Sequence, residues 1–172
     1  NIVEKGTAYN LLKEGTIQAK STHIPELILH QNLSECVEKI LKTNYSEKTI
    51  LIALDNVQSK ISLTDFLDKF NKNLENYKIF AAIGSERGWT DKERNFLVQK
   101  GFTLCSMGTK VLRTETASTV AASIKNKKMG VFKSRDKGDQ NAVLFSNNEN
   151  KYLFMFNYFN ALGSYSWILV WD

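Results

Sequence analysis

The sequence predicts an α/β fold in which a mostly parallel sheet carries helices on both faces. Two observations support this prediction. Apolar segments of strand length alternate with segments of helical periodicity, and Thr49–Leu54 is apolar throughout, as expected for a strand covered on both sides. With 172 residues, 42% of them hydrophobic, the chain can bury the core of one such domain. We therefore expect one compact domain with an appended segment.

The first helix is predicted over residues 8–20, with an apolar side formed by Leu11, Leu12 and Ile17. A short strand is expected at residues 26–29. Ser34 is predicted to cap the next helix, whose apolar residues fall at helical spacing: Cys36, Val37, Ile40 and Leu41. After the strand Thr49–Leu54, Ser62 and Asp65 begin a helix with the apolar stripe Phe66, Leu67, Phe70 and Leu74.

The second half of the chain repeats the alternation. Its predicted elements are a strand at residues 79–83, a helix opened by the capping box of Thr90 and Glu93 that ends before Gly101, a strand at residues 102–107 and a helix from Thr114 to about Lys125. Residues 152–171 form an aromatic run that is about long enough to span a bilayer. Because asparagine, glycine and serine interrupt it, we predict a strand pair or a packing tail there.

The cysteine and histidine residues predict no metal centre. Cys36 and Cys105 lie far apart and form no C-x-x-C pair, so we expect buried thiols in a reducing, cytoplasmic environment. His23 and His30 flank a proline turn and are predicted to be surface residues. Residues 1–10 lack the apolar segment of a secretion signal. Since Asn1 is not a natural start, we expect further sequence before it.

Basic residues concentrate between residues 109 and 137. This segment holds eight basic and two acidic residues, a local charge of +6 in a chain whose formal net charge is +5. Two interpretations stay open at this point. The segment attracts a polyanion such as RNA, or it is a solvated helix end that the helix dipole favours.

Two glycine turns follow two of the predicted strands, at residues 83–89 and 107–117, and each precedes a helix start. Glycine lets the backbone approach a ligand closely, and a helix start leaves amide groups free. Two such turns side by side can surround an adenosine-like ligand. Neither turn fits G-x-x-x-x-G-K-[ST] or G-x-G-x-x-G, which argues against nucleoside triphosphate chemistry.

The residues of these turns resemble a known family. IGSERGWTDKE, then Gly101 and Phe102, then MGTKVLRTETA resemble the blocks G-P-E-G-G-(F/W)-(S/T)-x-x-E and L-G-x-x-(I/V)-L-R-x-E-T-A of the RsmE-type methyltransferases, which belong to the SPOUT class. Gln18 and residues 23–26 are similar to the family's Q-S-x-R-x-x-x-P-E segment. The resemblance covers about residues 8–128.

The resemblance implies an enzyme that uses S-adenosylmethionine to methylate N3 of a uridine in small-subunit (16S) ribosomal RNA. It also implies a deep trefoil knot and a homodimer without metal or membrane. The methyltransferase domain is expected at residues 1–130, followed by an unassigned tail at residues 131–172. The family also has an N-terminal PUA-like barrel, which binds RNA. We expect that neither this barrel nor the first part of the knotted domain has a counterpart in these residues.

The resemblance also implies the site residues. The expected cofactor-binding residues are Leu54, Ile83, Gly84, Ser85, Glu86, Gly88, Met107, Gly108, Val111, Leu112, Arg113, Thr116 and Ala117. The expected RNA-binding residues are Gln18, Arg87, Lys110, Lys125, Lys127 and Lys128.

Arg113 and Glu115 are the candidate catalytic residues. Arg113 is placed to stabilise negative charge on a uracil carbonyl oxygen, or it forms a salt bridge with Glu86 or Glu115. Glu115 accepts a proton, or it is a partner of the helix dipole. Three positions depart from the family pattern, at Ser21, Ser85 and Arg87. A second hypothesis is therefore a non-catalytic RNA-binding or ribosome-assembly protein with the same fold.

Overall fold

The structure, a computed structural model, describes residues 5–18, 24, 26–44, 48–70, 74, 76–85, 87–128, 152–160 and 163–171. The helices among them are α1 Lys5–Gln18, α2 Leu33–Asn44, α3 Leu63–Asp68, α4 Asp91–Gln99 and α5 Thr114–Lys128. The strands are β1 Glu26–His30, β2 Thr49–Leu54, β3 Ile61–Ser62, β4 Lys78–Ile83, β5 Thr103–Ser106, β6 Tyr152–Asn160 and β7 Gly163–Trp171.

The described strands form one sheet in the order β1-β7-β6-β4-β2-β5-β3. The pairs β6-β4, β4-β2, β2-β5 and β5-β3 are parallel, whereas β7 is antiparallel to both of its neighbours. The α/β class with a mostly parallel sheet is thereby confirmed. Leu54 at the end of β2 lies opposite Ile83 at the end of β4, so the carboxyl ends of these strands share one edge of the sheet.

Helices cover both faces of the central strands. On one face, alternate residues of β2 and β4 such as Leu51 and Phe80 pack with residues of α2 and α4. On the other face, residues such as Ile52 and Ile79 pack with α3 and α5. Because both sets are buried, the period-two alternation of a one-sided strand is absent, and residues 50–54 are all apolar and buried.

Two of the predicted helix caps, Ser62 and Thr90, are confirmed. Ser62 Oγ accepts the Asp65 N–H at 3.0 Å, and Thr90 and Glu93 form the predicted capping box. The prediction of Ser34 as a cap is wrong. The helix begins at Leu33, and Asn32 Oδ1 accepts the Glu35 N–H at 2.9 Å. An asparagine at this position satisfies the free amide as well as a serine does.

The predicted apolar side of α1 is wrong. Leu11 and Ile17 are 55% and 64% exposed, whereas Thr16 is buried and donates its hydroxyl to the Leu12 carbonyl at 2.8 Å. At 3.6 residues per turn, the centre of the face formed by Leu12 and Thr16 lies about 120° from both exposed residues. The four residues of the stripe predicted after Ser62 do pack in one core cluster, but α3 ends at Asp68, so Phe70 and Leu74 lie beyond the helix.

His30 is buried, so its prediction as a surface residue is also wrong. It ends β1, and its Nδ1 lies 3.3 Å from Glu35 Oε1 on α2. His23 lies outside the described residues. Cys36 and Cys105 are buried free thiols as predicted, and burial raises the pKa of each to about 12.

Of the two alternatives predicted for the aromatic run, a strand pair or a packing tail, the structure shows the strand pair, because β6 and β7 pair in antiparallel fashion along their whole length. The pair joins the central sheet through β4 and reaches β1 through β7. In the part of the chain that the structure describes, no helix combines the length and apolarity needed to cross a membrane.

Candidate functional site

Three loops leave the carboxyl edge of the sheet from adjacent parallel strands. The first loop (residues 55–60) follows β2, the second loop (84–90) follows β4, and the third loop (107–113) follows β5. In open α/β sheets, ligands bind in the crevice outside these strand ends. The second and third loops are the two glycine turns found in the sequence, so the predicted neighbourhood of these turns is observed.

Hydrogen bonds join the three loops to one another. They are Trp89 Nε1 to Leu54 O at 2.9 Å, Thr114 Oγ1 to Gly84 O at 3.2 Å, and Asn56 Nδ2 to Lys110 O at 3.1 Å. The first bond ties the second loop to the end of β2. The second ties the start of α5 to the second loop, and the third ties the first loop to the third. The three loops are therefore one connected unit.

The second loop is a tight turn that needs its glycines. The Gly88 N–H donates to the Ser85 carbonyl at 2.8 Å, and Gly88 has φ +73°. A Cβ at Gly84 would lie 3.2 Å from the Gly88 carbonyl carbon. Gly84 is thus required by close backbone approach and Gly88 by its left-handed conformation.

The third loop leaves open space beside its glycine. Gly108 has φ +120°, and a Cβ there would meet no atom within 4 Å. Met107 and Leu112 pack against the core, whereas Val111 is 80% exposed. Helix α5 begins directly after this loop. The first-turn N–H groups of a helix lack partners within the helix and favour negative charge.

The predicted cofactor-binding residues form two groups, according to whether their side chains are buried in the core. The side chains of Leu54, Ile83 and Ala117 are buried in the core, so they reach the loop edge through backbone atoms only. A second group of the predicted cofactor residues lies on the loops or in the first turn of α5, and its members are exposed or half-buried. They are Gly84, Ser85, Gly88, Met107, Gly108, Val111, Leu112, Arg113 and Thr116. Glu86 lies outside the described residues.

Arg113 lies exposed at the junction of the third loop and α5. The side chains of its two predicted partners, Glu86 and Glu115, fall outside the described residues, so both salt bridges stay predictions. The catalytic assignment of Arg113 and Glu115 stays a prediction as well.

The predicted RNA-binding residues are spread over three regions. Arg87 and Lys110 are exposed on the second and third loops, and Gln18 is exposed at the end of α1. Lys128 forms an ion pair with Asp68, which gives this lysine a structural contact. Lys125 and Lys127 lie near the end of α5, and their side chains are outside the described residues.

Sequence reasoning missed a buried ion pair behind the first loop. Asp55 and Arg94 are 5% and 6% exposed, and Arg94 Nε donates to Asp55 Oδ1 at 2.9 Å. One signal was available: Asp55 directly follows an apolar strand, the position from which ligand-binding loops depart. No motif in the sequence predicted that the indole N–H of Trp89 donates to the Leu54 carbonyl. The described residues contain no cluster of three or more His, Cys, Asp or Glu able to hold a metal.

Adjacent parallel strands with connected glycine loops that face a helix start define a ligand-binding α/β domain. Residues 5–126 match the family described as the RNA methyltransferase domain. The chain belongs to this family, and the resemblance to its RsmE-type members is confirmed by the following relatives.

The chain is 36% identical over 110 residues to ribosomal RNA small subunit methyltransferase E 1 of Borreliella burgdorferi, covering 64% of this chain and 41% of that protein. It is 32% identical over 119 residues to ribosomal RNA small subunit methyltransferase E of Treponema pallidum, covering 67% of this chain and 41% of that protein. The chain therefore spans about two fifths of the length of these relatives.

The fold is also similar to a solved structure. The crystal structure of ribosomal RNA small subunit methyltransferase E from Neisseria gonorrhoeae, bound to S-adenosyl methionine, matches with a TM-score of 0.53. The match covers 69% of this chain and 45% of that chain at 18% identity, so it supports the fold.

Proposed function

We propose that this chain is an S-adenosylmethionine-dependent methyltransferase that modifies N3 of a uridine in small-subunit ribosomal RNA. Two relatives named for small-subunit RNA methylation support the substrate class. One structural observation carries the proposal. Hydrogen bonds join the three loops at the carboxyl edge of the sheet, and Gly108 in the third loop has open space beside it shortly before the start of α5.

The loops fit the chemical parts of this cofactor. The backbone at Gly88 and Gly108 is exposed, and a Cβ at either position would meet no atom within 4 Å, so a ligand can approach it closely. The free amides at the start of α5 suit a carboxylate such as that of the methionine moiety. Exposed Val111 and half-buried Met107 offer apolar surface to an adenine ring.

The bound cofactor supplies an electrophilic methyl group on a sulfonium centre. The protein then has to orient the uracil and favour loss of the N3 proton. Arg113 stabilises the negative charge that develops on a uracil carbonyl oxygen, since its guanidinium is exposed at the mouth of the site. Glu115, in the first turn of α5, is the candidate proton acceptor.

The RNA is proposed to bind across the same edge of the sheet. Arg87 and Lys110 are exposed on the second and third loops, and Lys125 and Lys127 belong to the later part of α5. Cationic side chains at such positions bind phosphates and make affinity depend on salt. Gln18 remains a candidate on α1.

The resemblance extends the proposal to a cytoplasmic homodimer with a trefoil knot in the domain formed by residues 1–130. The strands β6 and β7 belong to the segment 131–172, whose role we leave unassigned.

The proposal is tested by two measurements on the same preparation. The first is calorimetric binding of S-adenosylhomocysteine, and the second is methyl transfer to undermethylated small ribosomal subunits with mapping of the modified base. We expect binding and a product methylated at N3 of one uridine. Binding without transfer would support the non-catalytic hypothesis, and lack of both would refute the proposed function.

A further inference from the structure

We propose that Arg94 is a positioning residue, which holds the first loop in place and through it the cofactor pocket. This inference rests on the proposed function for the identity of the ligand. Arg94 lies on α4, behind the loops, and belongs to neither of the glycine turns. Its role follows from what its guanidinium contacts.

The first contact is with Asp55, the residue that opens the first loop. Arg94 Nε donates to Asp55 Oδ1 at 2.9 Å, and both side chains are more than nine-tenths buried. The other carboxylate oxygen, Asp55 Oδ2, accepts the N–H groups of Val57 at 3.3 Å and Gln58 at 2.6 Å. The carboxylate therefore folds the backbone of the first loop around itself, and Arg94 fixes where that carboxylate lies.

The second contact closes a ring. Arg94 Nη1 donates to Asp91 Oδ1 at 2.9 Å, and the same oxygen accepts Gln58 Nε2 at 2.9 Å. Arg94 thus holds both ends of the turn from Asp55 to Gln58 against the first turn of α4. The planar guanidinium suits this task because it presents several donors in a fixed geometry.

The ring is coupled to the third loop by Asn56, which lies inside the turn. Asn56 Nδ2 donates to the Lys110 carbonyl at 3.1 Å, two residues beyond Gly108. A shift of the first loop would move this contact, and the third loop with it. Arg94 therefore acts on the open space beside Gly108 without lying in it.

A purely stabilising role makes a different prediction. A buried ion pair can often be replaced by uncharged side chains of similar volume at little cost in stability, whereas removal of one partner is strongly destabilising. If the ring served only stability, a double variant without either charge would bind the ligand normally once folded. If the ring positions the loop, binding would stay weak in a well-folded double variant.

The test compares Arg94→Met, the double variant Asp55→Asn with Arg94→Met, and the control Lys100→Met. Lys100 lies at the other end of α4 in an ion pair with Glu38 at 3.7 Å, with both side chains partly exposed. Two quantities are measured well below the melting temperature, where every variant is folded. They are the dissociation constant for S-adenosylhomocysteine and the hydrogen-exchange rates of the Val57 and Gln58 amides.

We expect the dissociation constant to rise about tenfold or more in both Arg94 variants, since small misplacements of a binding group are costly. We expect exchange at Val57 and Gln58 to accelerate in the same variants, and Lys100→Met to match the parent in both measurements. Parent-like affinity and exchange in the double variant would overturn the inference alone. A parent chain that binds no S-adenosylhomocysteine would overturn the proposed function and the pocket with it.

Discussion

Replacement of Gly108 by valine tests whether the open space in the third loop is the cofactor pocket. The backbone there has φ +120°, and a Cβ would meet no atom within 4 Å. The Cβ of a valine therefore has open space, and the side chain occupies the space that the proposed ligand needs. We expect Gly108→Val to abolish binding of S-adenosylhomocysteine while the fold is kept.

The cost to stability follows from the backbone conformation. A side chain held in a sparsely populated region of φ and ψ costs about 1–3 kcal/mol, which is a fraction of the roughly 5–15 kcal/mol that stabilises a typical domain. The loss in affinity is a separate free energy, between the free and the ligand-bound folded protein. A block of the pocket that weakens binding at least about 100-fold corresponds to about 2.7 kcal/mol.

Gly101→Val is the matched control, because Gly101 also has a positive φ, of +90°. It follows α4 and precedes β5, so it lies at the opposite edge of the sheet from the three loops. Urea denaturation of both variants measures the stability lost to backbone strain, and calorimetry measures the affinity lost to obstruction of the proposed pocket. Both should lose similar stability, and only Gly108→Val should lose binding. Equal affinity in the two variants would refute the assignment of the pocket.

Three further predictions concern the residues around the pocket. Arg113→Ala should lower the methyl-transfer rate about 100-fold with a smaller change in cofactor affinity; equal losses in single-turnover rate and calorimetric affinity would favour a structural salt bridge. Neutralising Lys125 and Lys127 should reduce the slope of log affinity for RNA against log salt by up to about two units, and an unchanged slope would indicate a solvated helix end. Trp89→Phe should lower the free energy of unfolding by about 1 kcal/mol, because the Leu54 carbonyl loses its donor; a parent-like urea midpoint would contradict this.

The sequence predicted most reliably those features whose partners lie within one helical turn. The cap of α3 joins Ser62 to the amide of Asp65, and the capping box of α4 joins Thr90 to Glu93. In each case, both groups are three residues apart, so their proximity depends only on local geometry. The glycine turns were visible for the same reason, since their conformations are set by neighbouring residues.

Contacts across the sheet could not be predicted in this way. Asp55 and Arg94 are 39 residues apart, and Trp89 and Leu54 are 35 residues apart. Each pair forms only because β2 and β4 are neighbours with one particular register. Burial of His30 likewise depends on how β1 packs against α2. No periodicity or spacing in the sequence carries this information, whereas the apolar character of the strands themselves does.

One of the two neighbours of β4 in the sheet is β6, a strand that no sequence motif identified. The family match covers residues 5–126, yet β6 and β7 lie beyond it and complete the sheet beside β4. As a result, β4 is hydrogen bonded on both sides, by β2 and by β6, up to Ile83 at its carboxyl end. The second loop therefore departs from an interior strand. A loop with a fixed starting point loses less conformational freedom when it binds a ligand, so β6, which lies outside the family match, helps to fix the start of one loop of the proposed pocket.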